Sequence, residues 1–441
     1  MARPPSVLLL IADDWSPLAG CYGVTDIETP NIDRLAARGT RFKHAYCVTP
    51  SCAASRATLL TGHYPQTNGQ FGHVHGIHNL HTQESMPSIP KQLGAHGYRT
   101  ACIGKLHVQP ASVYPWDRLV QDHGPDGSRD VRWLADQTGR FIRDCGDQPF
   151  YCHVGFTDPH RDFDNDRGYA EVTERIYDPE QLTVPAFLPD NAATRRELAQ
   201  YYQAISRLDQ GIGFCLEELE RAGRAADTLV IVMSDHGMPF PGAKASFYEG
   251  GHRCPLIIAR PGQEPRVNDA LVNWCNLAPT IFDWCGVPHP EGLPEGSLLP
   301  ILDQEHPEGF DEVYASHCFH AITEHWPYRW VRDRRYKYVR ILNPETPLPL
   351  ASDLYDSETW QAAQADPTGA FGVRTRDGLL HHRPEELYDL REDPHETVNL
   401  IDRPELAVVA ERLRQKVKQF RQRTRDPWIR ISVQRGETGW S

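Results

Sequence analysis

Val7-Leu8-Leu9-Leu10-Ile11-Ala12-Asp13-Asp14 runs six apolar residues without a break and then turns at once into two carboxylates. A strand with one wet face would alternate polar and apolar residues. A continuous run suits a strand in a parallel sheet that helices cover on both faces. Residues 6–12 are therefore read as such a strand. Three later runs share the character, at 99–103, 150–156 and 228–233.

Helical stretches separate these runs, at 31–38, 87–96 and 194–222. The last carries Leu198, Tyr202, Ile205, Leu208, Ile212, Leu216 and Leu219 at helical spacing, with Gly223 at its end. Strands alternating with helices predict an α/β fold, a large, mostly parallel sheet sandwiched by helices. A proline cluster at 288–300, followed by residues 304–309, marks a boundary. Beyond it, short strands at 313–317, 328–332, 336–341 and 386–390 predict a smaller antiparallel sheet. A terminal amphipathic helix at 404–425 presents Leu406, Val409, Leu413, Val417 and Phe420 on one face, and its basic residues read as a solvated face. The expected division is 1–310 for the larger unit and 311–441 for the smaller, which contributes to the substrate pocket.

The 441 residues carry a formal net charge of −13. That excludes an extended nucleic-acid interface, which needs a basic footprint. An anionic substrate must then meet a locally basic pocket, which favours a small molecule or one chain end over a long polyanion. The 11 cysteines include no C-x-x-C pair, so no disulfide framework is expected. No run reaches membrane-spanning length, and six apolar residues are too few for a signal-peptide core. The expectation is a cytoplasmic protein without a membrane partner, with export and a homo-oligomeric state left open.

Each of the four runs ends in polar residues: Asp13 and Asp14; Lys105 and His107; Asp158 and His160; Asp235 and His236. In an open parallel sheet all carboxyl ends lie along one edge, where ligands bind. Residues some 220 positions apart thus converge. Asp13, Asp14 and Asp235 would repel each other there, and a divalent cation removes that penalty. His236 adds a nitrogen donor, which admits a transition metal as well. A helix is expected to begin near Cys52, where a helix start favours an anion. Arg56 lies one turn along it. Lys105 and Lys244 can balance charge on a transferring group. His107 and His160 can move protons.

Read together, Leu10 to Asp14, Thr29-Pro30-Asn31-Ile32-Asp33-Arg34-Leu35, Cys52 to Gly62, Gly104-Lys105-Leu106-His107, Asp158-Pro159-His160 and Ser234-Asp235-His236-Gly237 resemble the sulfatase family of the alkaline-phosphatase-like superfamily. The resemblance is nearly chain-long. It is strongest to the heparan N-sulfatases (sulfamidases), through stretches such as Tyr177-Asp178-Pro179, Gly237-Met238-Pro239-Phe240-Pro241 and Asp426-Pro427-Trp428. It implies metal ligation by Asp13, Asp14, Asp235, His236 and a Cys52 converted to formylglycine by a maturation enzyme. Ca2+ is the expected ion, with Mn2+ or Mg2+ as alternatives. It also implies sulfate contacts from Lys105, His160 and Lys244, and a small sulfated sugar such as N-sulfoglucosamine as substrate.

In that chemistry one hydroxyl of the hydrated aldehyde attacks sulfur. His107 then takes the proton of the second hydroxyl, the aldehyde re-forms and sulfate leaves, while His160 protonates the leaving atom. A plain thiol would lack this release step. His317 and His320, from Ser316-His317-Cys318-Phe319-His320, are expected to line the sugar pocket. There are departures from the family: Ala54 stands where many members have Pro, His236 where many have Asn, and Lys244 where the sulfamidases have Arg. Two other readings remain: a phosphonate monoester or phosphodiester hydrolase of the same superfamily, and a non-catalytic metal-binding protein whose Cys52 stays a thiol.

Overall fold

The computed structural model describes residues 3–121, 129–163 and 165–429. Its larger sheet contains Ser6–Ala12 (β1), Thr40–Tyr46 (β2), Arg99–Gly104 (β3), Arg118–Val120 (β4), Phe150–Gly155 (β5), Thr228–Ser234 (β6), Arg253–Cys254 (β7), Leu256–Ala259 (β8) and Arg266–Asn273 (β9). The order is β4-β3-β5-β1-β6-β8-β2-β7, with β9 also paired to β2. From β4 to β6 every neighbour is parallel. β8 runs antiparallel to both β6 and β2, so β2 points the same way as the central five. This direction matters, because β2 leads into Cys52.

All four runs expected as strands are strands, with ends shifted by one residue at most. All seven residues of β1 are buried. Leu8, Leu10 and Ala12 join a core on one side of the sheet, with residues of the helices Val131–Cys145 and Ala192–Arg221. Val7, Leu9 and Ile11 join a core on the other side, with the helices Ile89–Ala95 and Leu277–Cys285. Burying each large aliphatic side chain contributes roughly 1.5–3 kcal/mol. A two-sided core of this kind explains why no polar residue interrupts the run.

β2 is a strand that the apolar pattern does not reveal. Its sequence, Thr40-Arg41-Phe42-Lys43-His44-Ala45-Tyr46, mixes charged and apolar residues, and Lys43 is exposed.

The second sheet is antiparallel, in the order Glu312–Phe319 (β10), His325–Asp333 (β11), Tyr336–Ile341 (β12) and Glu385–Asp389 (β13). One of its faces (Val313, Ala315, Tyr328, Trp330) shares the core that receives Leu8 and Leu10. The other (Tyr314, Val331, Tyr338, Leu387) packs on Leu413, Val417 and Phe420 of the helix Ala407–Arg423. All eleven cysteines are unpaired, ten of them buried. Among the described residues no helix is long and apolar enough to cross a membrane.

Candidate active site

The register of the large sheet levels its strand ends. Ala12 lies opposite Ser234, and Gly104 and Ile11 both lie opposite Gly155. The next residues, Asp13, Asp235 and Lys105, therefore leave the sheet side by side. Asp14 takes φ +64°, a left-handed conformation that Asp tolerates. Its backbone is held there: its N–H donates to Asp235 Oδ1 at 3.1 Å, and Tyr201 donates to its carbonyl at 2.8 Å.

Cys52 opens the helix Cys52–Thr61, with extended Ser51 as its N-cap, and every residue of that helix is buried. Cys52 Sγ lies 3.2 Å from His236 Nε2. Burial and the nearby Asp13 push the thiol above its ordinary pKa, against the pull of Lys105, His236 and Lys244. Arg56, one turn on, does not engage Cys52 by a hydrogen bond. Its Nε donates to Asp235 Oδ2 at 2.9 Å, its Nη1 to the Lys105 carbonyl at 3.1 Å, and its Nη2 to Asp13 Oδ1 at 3.4 Å. It is a buried cation that ties the ends of β1, β3 and β6 together.

The four-donor cluster consists of Asp13, Asp14, Cys52 and His236, whose potential ligand atoms all lie within 4.8 Å of one another. His236 Nδ1 donates to the Gly237 carbonyl at 3.0 Å, which leaves Nε2 facing the cluster, 3.0 Å from Asp14 Oδ1. Asp14 Oδ1 is buried and has no hydrogen-bond donor. Burial and Asp13 push the Asp235 carboxyl up to about 7. Burial would raise Asp13 as well, but Lys105, His160 and Arg56 outweigh it and hold Asp13 low. Burial would lower the His236 pKa, but Asp235 and Asp14 outweigh it and hold it well above the ordinary value. Crowded carboxylates, an orphaned oxygen and an imidazole whose Nε2 proton a cation would displace form a donor set that fits a divalent cation. Asp235 stands just outside the four-donor cluster and accepts from Arg56 and two backbone N–H groups.

Above this floor opens a cleft of about 570 Å³. Lys105, whose Nζ is bonded to Asp13, and Lys244 both face it. Lys244 Nζ lies 2.9 Å from Asp14 Oδ2, 2.8 Å from Asp353 Oδ2 and 3.3 Å from His160 Nε2. His160 Nδ1 donates to the Arg161 carbonyl, so Nε2 accepts from Lys244. Burial and the adjacent Lys244 lower the His160 pKa. The loop carrying His160 is pinned by Asp158, which does not enter the cleft. Its carboxylate takes Arg129 at 2.8 Å and Arg207 at 2.7 and 2.8 Å, and Arg129 also donates to the His160 carbonyl at 3.0 Å.

His107 and His320 line the cleft, and His317 does not. His317 is buried and stacks on Tyr328 at 5.3 Å and 22°. His317 and His320 are three residues apart, an odd step that places them on opposite faces of a regular strand, and His320 lies beyond the end of β10 at Phe319. The lining residues that were not foreseen include Asp353, His73 and His75. Asp353 lies in the four-residue helix Ser352–Tyr355, within a stretch that shows no periodicity. The spacing His73-x-His75-x-x-His78 was the available signal for the other two.

Residues 5–287 match the sulfatase family model, and residues 242–359 match that of the N-sulphoglucosamine sulphohydrolase C-terminal region. The human N-sulphoglucosamine sulphohydrolase is 35% identical over 97% of this chain and 92% of its own length. Among solved structures, a protein in complex with its substrate D-glucosamine-2-N,6-O-disulfate superposes with a TM-score of 0.73 at 21% identity, covering 97% of this chain and 99% of that one. A phosphonate monoester hydrolase from Silicibacter pomeroyi gives a TM-score of 0.72 at 20% identity, covering 96% of each chain. At those identities the two structures speak to the fold.

Proposed function

From the premise that this chain belongs to the sulfatase family and is a hydrolase of sulfate esters or sulfamates, we propose that it removes the N-linked sulfate of a small sugar such as N-sulfoglucosamine, with Cys52 converted to formylglycine. The observation that carries the substrate class is the chain-long similarity to the human N-sulphoglucosamine sulphohydrolase. It includes the C-terminal match over 242–359, the part that brings Lys244, His320 and Asp353 to the cleft.

Asp13, Asp14, His236 and the converted Cys52 would hold the divalent ion, with Asp235 beside them. The carboxylates favour Ca2+, while Mn2+ and Mg2+ remain compatible. When bound, the ion supplies Lewis-acid polarisation and lowers the pKa of an attacking hydroxyl. The hydrated aldehyde offers one hydroxyl as nucleophile and a second whose deprotonation expels sulfate.

Lys105 and Lys244 bind and orient the sulfuryl oxygens, and His107 accepts the proton of the second hydroxyl. His160 delivers a proton to the departing nitrogen. An anionic oxygen entering between Lys244 and His160 offsets the lysine's charge and eases protonation of the imidazole. Arg56 keeps Asp13 and Asp235 in place. The two-part organisation, 1–310 and 311–441, is part of the same proposal, the second part completing the sugar end of the cleft.

The test is a side-by-side assay of glucosamine N-sulfate, an aryl sulfate and a phosphodiester, with mass spectrometry of the peptide spanning Cys52. The expected result is the highest kcat/KM for the N-sulfate in protein carrying the aldehyde mass. Faster turnover of the phosphodiester would replace the reading with that of a phosphohydrolase. Full turnover by protein with an intact thiol would remove the formylglycine.

A further inference from the structure

Four imidazoles crowd one wall of the cleft beyond Lys105. The rings of His73, His75 and His107 lie with centroids 5.0, 5.1 and 5.0 Å apart, and His320 meets His73 edge-on at 4.2 Å. Nitrogen meets nitrogen: His75 Nδ1 is 2.9 Å from His107 Nε2, and His73 Nε2 is 3.0 Å from His320 Nε2. The Nδ1 atoms of His73, His107 and His320 are buried without a hydrogen-bond partner. Such a cluster is costly for a fold that uses it only as packing, since buried polar atoms are normally paired.

One nitrogen from each of His73, His75 and His107 lies within 4.8 Å of the other two. A tetrahedral ion with metal–nitrogen bonds of about 2.0–2.1 Å needs ligand nitrogens roughly 3.3 Å apart. Within the three, His75 Nδ1 and His107 Nε2 are 2.9 Å apart, while His73 Nε2 lies 3.0 Å from His320 Nε2 beside them, and His75 is exposed. Burial, with neighbouring cations, lowers the pKa of His73, His107 and His320, which keeps their lone pairs available. The donor class differs from that of the carboxylate cluster. An all-imidazole set selects Zn2+, Cu2+ or Ni2+ over Ca2+ or Mg2+.

We propose that His73, His75 and His107, with His320 alongside, form a second metal site for a transition ion of the Zn2+ class, and that filling it shuts the enzyme down by taking up His107. The ion would sit in the wall of the substrate cleft, so it would both withdraw a proton acceptor and narrow the entrance. The binding half stands on the geometry alone. The inhibitory half rests on the role given above to His107.

The experiment titrates Zn2+ by calorimetry into the full-length protein saturated with Ca2+, using wild type, His75→Gln, His73→Gln and Asp14→Asn. Wild type and Asp14→Asn are expected to bind one Zn2+. In His75→Gln and His73→Gln the affinity should weaken by about tenfold or more. The inhibition constant for Zn2+ in the hydrolysis assay should shift by the same factor in His75→Gln. His75 is exposed, so this variant tests the ligand without endangering the fold. Zn2+ binding unchanged in both histidine variants would overturn the site. So would binding lost in Asp14→Asn alone, which would place the ion in the carboxylate cluster. Zn2+ bound through the histidines with turnover unaffected would overturn the inhibitory half. Failure of the substrate assignment leaves the calorimetric readout intact, so the two proposals fail separately.

Discussion

Cys52 contributes one sulfur atom to a fold with an extensive two-sided core, yet the proposed chemistry depends on it entirely. Cys52→Ala should lower turnover by about 10⁴-fold or more, while costing only about 1 kcal/mol of stability. Steady-state kinetics and urea unfolding of the same preparation separate the two effects, and an active Cys52→Ala protein would remove the nucleophile assignment. Lys244 holds an ammonium 2.9 Å from Asp14 and 2.8 Å from Asp353. Lys244→Ala should reduce kcat/KM by about 10²–10³-fold. At this scale most of the candidate site was legible. Asp13, Asp14, Asp235 and Lys105 each follow an apolar run directly, so strand direction alone brings them together. Asp353 was not, because it reaches the cleft from a short helix that no periodicity announces. His317 illustrates the opposite error, since three residues separate it from His320, an odd step that puts the two on opposite sides of a strand, and only His320, just past the end of β10, lines the cleft.

The strand ends explain why two glycines stand where β3 and β5 meet. A Cβ on Gly155 would come 2.0 Å from the Lys105 carbonyl oxygen, and one on Gly104 would come 2.2 Å from the Gly155 carbonyl oxygen. Gly104 also has φ +84°, which other residues rarely adopt. This close approach lets the Lys105 N–H donate to the Gly155 carbonyl at 2.8 Å and sets the lysine's height above the sheet. Gly155→Ala should therefore destabilise the protein by about 1–3 kcal/mol and lower kcat/KM by displacing Lys105. Denaturant unfolding and kinetics would check both, and an alanine variant with unchanged activity would show that the lysine's position is not set there. The strands of the central sheet were readable because burial on both faces demands uninterrupted apolar residues. β2 was not, since its partners leave Lys43 and part of Arg41 in solvent and its composition follows.

Across the molecule, the same burial that builds the sheet traps neutral histidines. Burial lowers His153 to about 3 and His317 to about 3, and His153 has no hydrogen-bond partner on either ring nitrogen. In the unfolded chain both titrate near the ordinary histidine value of about 6.5. Between the two values the unfolded state binds more protons, so stability falls as the pH drops from about 6.5 toward 3. Each ring contributes a slope of up to about 1.4 kcal/mol per pH unit. His153→Leu should reduce the slope by about that amount in urea unfolding at pH 4.5, 5.5 and 6.5, and an unchanged slope would exonerate the ring.

The long separations within the site also set a clock. Cys52 is sealed against His236, which is made 184 residues later. At roughly 5–20 residues per second of synthesis, the Cys52 segment waits roughly 10–40 s before its burying partner exists. Under the proposed conversion, a maturation enzyme would have that interval, set by the order of translation, to reach the side chain before β6 pairs with β1.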